Sequence, residues 1–294
     1  MKTITILLCV LCLFLSLSSC CFAKAPPWTE NAVYIPNGDH EIPATVCLPA
    51  GEGPFPAVVM LHGTGSNRNE ANNAYQKAAQ TFAEKYGLAT IRIDFMGCGE
   101  SKADYIGYTF ESAVSDAAAA AEFMQASERI NPERIGVLGW SQGGTDALLC
   151  AARSPELFKS IVTWAGAPSL EIDGVFGDAQ YEEAKTNGFF VMDLGFGDPL
   201  KISLQWCEDV LHTDVLGEFA EKYSGPVLAI HGKDDTTVPP VWAERITEAS
   251  SNPASDSLYI ESMDHTFNVF VEEDFHSLYT AIDATGEFFS RTLK

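Results

Sequence analysis

The sequence predicts an α/β fold with a mostly parallel central sheet flanked by helices, and three observations carry that expectation. Short continuous apolar runs alternate along the chain with longer stretches of helical apolar spacing. Each run has the length and purity of a strand buried on both faces, which is how parallel sheets are built. The 294 residues, 46% hydrophobic and 20% charged, are enough to bury one large core.

The elements follow in order. Residues 1–23 read as an export signal: Lys2 supplies the positive start, and residues 4–17 form an apolar stretch too short to remain as a membrane span. Within it Leu17-Ser18-Ser19-Cys20 resembles a bacterial lipobox, which implies a lipid anchor to the membrane through Cys20. A cut after Ala23 is the alternative and releases a soluble protein; either route places the protein outside the cytoplasm as an anchored lipoprotein or a secreted or periplasmic one. The folded domain is expected over residues 31–294. It opens with an antiparallel hairpin, residues 31–36 and 41–48, turned at Asn37-Gly38. Residues 57–61 (Ala-Val-Val-Met-Leu) form a buried strand ending at His62-Gly63. A helix over 69–86 is stopped by Gly87, and a strand over 88–93 closes at Asp94.

The cycle repeats with a helix over 110–125, a strand over 135–138, a helix over 142–153 and a strand over 160–164. Alternation then breaks. Residues from about 167 to 222 carry Gly-rich turns, many acids and the aromatics Tyr181, Phe189, Phe190, Phe196 and Trp206, and are expected to form an inserted cap. The pattern resumes with a strand over 226–231, a helix over 242–250, a strand over 257–260 and a closing helix over 277–292.

Charge and cysteine content narrow the function classes. With 18 basic against 40 acidic residues the net charge is -22, a field that repels phosphate backbones, so no nucleic-acid partner is expected and neutral or cationic substrates are favoured. Of eight cysteines, Cys9, Cys12, Cys20 and Cys21 lie in the signal or at its end. The remaining Cys47, Cys98, Cys150 and Cys207 are widely spread with no metal-ligand spacing, and read as buried thiols rather than disulfides. No metal and no cofactor is expected.

The chemistry is carried by Gly139-Trp140-Ser141-Gln142-Gly143, a G-x-S-x-G placed directly after one predicted strand and directly before a helix. That arrangement resembles the nucleophile elbow of the α/β-hydrolase fold, in which the serine sits on a sharp strand-to-helix turn and the glycines let neighbouring backbone approach. A serine hydroxyl is a weak nucleophile, so it needs an imidazole to take its proton and an acid to hold that imidazole. His265 follows the last predicted strand and is the expected base. The acid belongs at the edge of the strand over 226–231, where Asp234 and Asp235 both stand. His62 and His231 end strands and are read as loop braces, while His40, His212 and His276 are read as surface residues. Backbone N–H groups of Gln142 and Thr64 are the expected oxyanion donors.

With those residues placed, the chain resembles bacterial feruloyl and cinnamoyl esterases, α/β-hydrolases close to the acylaminoacyl-peptidase and dienelactone-hydrolase relatives. The likeness runs from about Val33 to the C-terminus. It rests on His62-Gly63-Thr64-Gly65-Ser66-Asn67-Arg68-Asn69, on Asp94-Phe95-Met96-Gly97-Cys98-Gly99-Glu100-Ser101, on the elbow, on His231-Gly232-Lys233-Asp234-Asp235-Thr236-Thr237-Val238-Pro239 and on Asp264-His265-Thr266-Phe267. The family spacing H-G-x-x-D-x-x-V-P implies Asp235 as the acid. It also implies a short cap that helps hold a hydroxycinnamoyl ring. Trp140 and Cys98 depart from the family, which commonly has a smaller or imidazole residue at the first position and His or Arg at the second.

The resemblance implies a serine carboxylic-ester hydrolase acting through an acyl-Ser141 intermediate on a small-molecule or oligosaccharide ester, of feruloyl type, in plant cell-wall material. The competing readings are a general short-chain carboxylesterase, an acyltransferase or peptidase using the same triad, and a non-enzymatic surface lipoprotein. A peptidase of this kind usually adds a propeller domain, which 294 residues do not accommodate.

Overall fold

The chain opens with an antiparallel hairpin of β1 (Trp28–Asn37) and β2 (His40–Pro49), paired in register from Trp28 opposite Pro49 to Asn37 opposite His40. The structure, a computed structural model, describes residues 26–169 and 176–294. The export signal expected over residues 1–23, Cys20 included, lies outside the described residues, as do residues 170–175 of the stretch read as a cap.

The turn of the hairpin sits one residue later than the sequence suggested. Gly38 and Asp39 are its central pair, and only Gly38, at φ 61°, takes positive φ. Gly at the first central position is what a type II′ turn requires, and its twist matches that of the flanking strands.

Next come β3 (Phe55–Leu61), α1 (Ala74–Thr81) continued by a π turn over Phe82–Tyr86, β4 (Ala89–Ile93), α2 (Phe110–Gln125), β5 (Ile130–Trp140), α3 (Gln142–Arg153) and β6 (Ser160–Trp164). The stretch before the next core strand holds α4 (Asp178–Asn187), the hairpin of β7 (Phe189–Met192) and β8 (Leu200–Ser203), α5 (Leu204–His212) and α6 (Val215–Lys222). The core then closes with β9 (Val227–Gly232), α7 (Val241–Ala249), β10 (Asp256–Ile260) and α8 (His276–Thr292).

Among the described residues eight strands form one sheet in the order β1-β2-β4-β3-β5-β6-β9-β10, antiparallel across β1, β2 and β4 and parallel from there on. Alternation along β3 shows why the strands read as unbroken apolar runs: Ala57, Val59 and Leu61 pack toward α2, α3 and α7, while Val58 and Met60 pack toward α1 and α8. Both faces of β3 are buried, and both of its parities are apolar. Cys47, Cys98, Cys150 and Cys207 are buried free thiols, and burial pushes Cys47 and Cys98 up to about 12.

His40 is a correction to the sequence reading. Its Nε2 lies 2.8 Å from Asp116 Oδ1 on α2, which also accepts from Asn37 Nδ2 at 2.8 Å, so the ring ties the hairpin to the helix instead of facing water. The aromatics of residues 176–222 mostly pack on one another: Phe190 and Trp206 are buried, and the Phe176 ring lies tilted against both at about 5.9 Å between ring centres. Phe196, at the tip of the β7–β8 hairpin, is 59% exposed. No helix among the described residues is long and apolar enough to cross a membrane.

Candidate active site

The parallel order puts the C-terminal ends of β3, β5, β6 and β9 side by side, and the sequence-expected site residues collect there. Ser141 stands between β5 and α3 with φ 55° and ψ -120°, a backbone state that costs an L-residue energy and survives only where its surroundings enforce it. They do so by close approach. A Cβ on Gly139 would lie 1.8 Å from Gly143 O, and one on Gly143 would lie 2.2 Å from Leu61 O, so neither position tolerates a side chain. The Ser141 N–H donates to Trp164 O at 2.8 Å and fixes the turn to β6.

Three side chains expected from sequence meet in a line. His265 Nε2 lies 3.1 Å from Ser141 Oγ, and His265 Nδ1 lies 2.8 Å from Asp235 Oδ2. A carboxylate only accepts, so Nδ1 carries the proton and the Nε2 lone pair faces the serine hydroxyl. Asp235 is the acid in contact; Asp234 is exposed to solvent. The other Asp235 oxygen accepts from the N–H groups of Thr237 and Val238, both at 2.8 Å.

His231 adds a partner that sequence reasoning placed only as a loop brace. Its Nε2 is 3.1 Å from Asp235 Oδ2 and 3.0 Å from Val238 O; both are acceptors, so that nitrogen is protonated and donates. Burial works to raise the Asp235 carboxyl, yet the bonds from His231 and His265 outweigh it and hold the group well below the usual carboxylate range.

The two expected oxyanion donors are oriented by their own peptide planes. His62 Nε2 accepts from the Phe95 N–H at 3.1 Å, so Nδ1 carries the proton and donates to Gly63 O at 2.7 Å. Gly63 O and the Thr64 N–H belong to one planar unit, and pinning the first aims the second. In the same way the Gly144 N–H donates to Ser141 O at 2.9 Å and orients the Gln142 N–H. Neither the Thr64 nor the Gln142 N–H has an acceptor among the described residues. The Gly63 loop lies against the nucleophile: a Cβ on Gly63 would be 3.4 Å from Ser141 Cβ.

Several supports were not visible in the sequence. Glu70, at φ 58°, accepts from the N–H groups of Gly63 and Ala71 and from Ser66 Oγ at 2.8 Å, closing the loop that carries Thr64. Buried Asp94 is paired with the Arg68 guanidinium and accepts from the N–H groups of Arg68 and Glu100. The departure at Trp140 has a structural reason: its Nε1–H donates to His265 O at 3.1 Å, and its ring packs edge-on against Trp164 and Phe267 beneath the histidine loop. That loop is tightened by Asp264 Oδ1, which accepts from the N–H groups of Thr266 and Asn268. A positive φ at a charged residue, as at Glu70, has no signature in the residue string. The hairpin of β7 and β8 reaches this region, because a Cβ on Gly65 would meet Leu200 Cδ1 at 2.8 Å and Leu194 Cδ1 at 2.9 Å.

Comparison with known proteins agrees with the fold and adds a family. The chain is 31% identical over 214 residues to 2,6-dihydropseudooxynicotine hydrolase of Paenarthrobacter nicotinovorans, covering 70% of this chain and 51% of that one. It is 34% identical over 107 residues to Esterase EstD of Thermotoga maritima, covering 35% of this chain and 25% of that one. The chain thus spans about half the length, or less, of the curated relatives it matches. Among solved structures, Est1E from Butyrivibrio proteoclasticus with ferulic acid bound superposes with a TM-score of 0.71 at 21% identity, over 89% of this chain and 99% of that one. DcsB in complex with its substrate analogue superposes at 0.73 with 18% identity, over 90% and 99%. At these identities the likeness carries the fold alone, the α/β-hydrolase fold. A model of the prolyl oligopeptidase family matches residues 73–274, and the chain belongs to that family.

Proposed function

We propose that the protein is a serine hydrolase that cleaves carboxylic esters through an acyl-Ser141 intermediate, with hydroxycinnamoyl esters as the substrate class. The hydrogen-bonded line Asp235, His265, Ser141, beside two aimed N–H groups, is the observation that carries the reading. Ser141 Oγ attacks the ester carbonyl carbon while its proton passes to His265 Nε2. The carbonyl oxygen becomes an oxyanion that accepts from the Thr64 and Gln142 N–H groups. The C–O bond to the alcohol breaks, the alcohol leaves with the proton from His265, and Ser141 is left acylated. Water then gives a proton to His265 and adds to the acyl carbon, the C–O bond to Ser141 breaks as His265 returns that proton to Oγ, and the carboxylic acid and free Ser141 are released. Asp235 stays ionised and steadies the imidazolium formed twice in the cycle. No step calls on a cofactor.

Three observations favour the hydroxycinnamoyl acyl group. The β7–β8 hairpin packs Leu194 and Leu200 onto the loop of Thr64, which suits residues from about 167 to 222 acting as a cap over the site. Phe196 at its tip is exposed and available to an aromatic ring. Est1E, of the same fold, was solved with ferulic acid bound. The family's name favours a second reading, amide cleavage by the same residues. We further infer that residues 1–23 direct export, with Cys20 lipidated or a cut after Ala23.

Initial rates on methyl ferulate, methyl p-coumarate, a ladder of p-nitrophenyl acyl esters and a peptide anilide, alongside Ser141→Ala, test the catalytic reading. Hydroxycinnamates leading in kcat/KM support the full reading. Short acyl chains leading, with hydroxycinnamates inert, make it a general carboxylesterase. Anilide cleavage on a par with esters favours the second reading, and an active Ser141→Ala protein sinks the mechanism.

A further inference from the structure

Beneath the elbow lies a carboxyl that the mechanism above does not use. Asp146, one turn into α3 beyond Gln142, is fully buried. The Tyr108 hydroxyl donates to its Oδ2 at 2.6 Å, and Gln142 Nε2 donates to its Oδ1 at 3.3 Å. Gln142 Oε1 is buried and has no partner, so the amide is held from one end only.

The groups facing this carboxyl are few and uncharged. Tyr105 and Tyr108 face it from the segment before α2, and Cys150 from its own helix; burial raises all three well above their ordinary values, so they stay neutral. On α2, Asp116 is engaged by Asn37 and His40. On α3 itself Arg153 lies two turns further on, held by Glu218 of α6. Without a cation, burial pushes Asp146 up to about 7 against the lowering effect of the bonds from Tyr108 and Gln142.

We propose that Asp146 is a positioning residue for the Ser141 reaction, whose neutral form supports the Gln142 N–H at the oxyanion and whose ionised form opposes it. The proposal rests on the reading of Ser141, His265 and Asp235 given above. Ionised, Asp146 Oδ1 only accepts, and it takes the bond from Gln142 Nε2. Protonated, Oδ1–H donates, and the Gln142 amide turns over so that Oε1 accepts it and gains a partner. The Tyr108 bond to Oδ2 persists in both states. The ionised state also places a negative charge under the point where the oxyanion grows. Five residues of helix put the two charges on the order of 10 Å apart, and at an effective dielectric of about 20 that repulsion corresponds to about tenfold in rate.

The test is the ratio of kcat for Asp146→Asn to kcat for the unmodified protein, from about pH 5.5 to about pH 9 on a p-nitrophenyl ester. Asparagine accepts from Tyr108 and donates to Gln142 Oε1, imitating the neutral acid at every pH. Any pH dependence common to the two proteins cancels in the ratio. The expected ratio is level in acid and rises about tenfold across neutrality, with KM little changed; a ratio that does not vary with pH overturns the proposal, because a purely structural defect scales kcat by a constant. Tyr108→Phe provides the second reading, since it keeps the carboxyl and removes a bond to its ionised form. The fall in kcat should then move to higher pH, and an unmoved profile counts against the proposal even if Asp146→Asn does not fold. Fluorophosphonate labelling of Ser141, read by mass spectrometry, separates the two claims. Folded protein that does not label refutes the Ser141 reading, whereas labelled protein with a level ratio refutes only the role of Asp146.

Discussion

Replacing Asp235 by Asn changes one atom and reverses the logic of four hydrogen bonds. In the native site Oδ2 accepts from His265 Nδ1 at 2.8 Å and His231 Nε2 at 3.1 Å, while Oδ1 accepts from the Thr237 and Val238 N–H groups at 2.8 Å. An amide has one acceptor oxygen. If it stays with Thr237 and Val238, the amide NH2 faces His265 Nδ1, which must give up its proton to accept. The proton moves to Nε2, where it meets Ser141 Oγ–H and cannot take a proton from it. The same acid-to-amide change in serine proteases costs about ten-thousandfold in kcat, and that is the loss expected here with KM little altered. If the oxygen turns toward the imidazoles instead, the NH2 confronts two N–H donors. Either way a buried donor is stranded, at about 2–4 kcal/mol, or roughly 5–10 °C in Tm for a domain of this size. Steady-state rates on a p-nitrophenyl ester and a thermal melt measure both. Asp234→Asn is the control: it is exposed, and activity should stay within about twofold. Turnover by Asp235→Asn within tenfold of the native rate would refute the assignment of the acid and the tautomer argument with it.

Three further outcomes follow from the contacts and burial of these residues. Gly65→Ala puts a Cβ at φ 66° and within 2.9 Å of Leu194 and Leu200, so the loop of Thr64 must shift; kcat should fall by about tenfold or more, and Leu200→Ala in the same chain should recover part of it, as ester kinetics on the two variants would show. Trp140→Phe keeps the ring against Trp164 and Phe267 but loses the bond to His265 O, for a fall of about fivefold in kcat at unchanged KM. The two buried acids give opposite pH trends in denaturant titrations. Asp235, depressed in the fold, adds stability above the unfolded carboxylate range that is lost as pH falls below about 4; Asp146, raised in the fold, adds stability at low pH that is lost as pH rises from about 4 to about 7. Asp146→Asn should therefore gain on the native protein over that second interval.

What the residue string revealed, and what it hid, follows from the range of the interactions. Ser141 was legible because its strained turn demands Gly139 and Gly143 within two residues, a requirement written locally. Strands such as β3 were legible because burial on both faces leaves them an unbroken apolar run, and α3 and β6 begin and end where the sequence pattern does. The hairpin turn was misplaced by one residue because Asn37-Gly38 and Gly38-Asp39 both carry turn chemistry, and cross-strand pairing decides between them. His40 reads as a surface residue in isolation; its partner, Asp116, is 76 positions away. Glu70, Asp94 and the Tyr108–Asp146 pair are ordinary acids and a tyrosine until the sheet brings their partners alongside, so only the fold assigns them.

Those hidden acids bear on a difficulty the composition raises. On the proposed mechanism, a chain of net charge -22 must develop an oxyanion at Ser141 against its own field. Salt screens exposed charges beyond about 10 Å, so the distant surface acids matter little, and the acids near the site decide the balance. Each of them is answered in place. Glu70 is covered by two N–H groups and a hydroxyl, Asp94 by Arg68 and two N–H groups, and Asp235 by two imidazoles and two N–H groups. Asp146 has no cation and fewer donors than the others, the Tyr108 hydroxyl and the Gln142 amide, and burial answers it by favouring the proton. The site thus keeps its negative charges paired or protonated, which leaves the Thr64 and Gln142 N–H dipoles and the start of α3 as the fields that the forming oxyanion meets. Adding salt should accordingly alter kcat very little while Asp146 is neutral, and a steep salt dependence of kcat below pH about 6 would show that the surface field does reach the site.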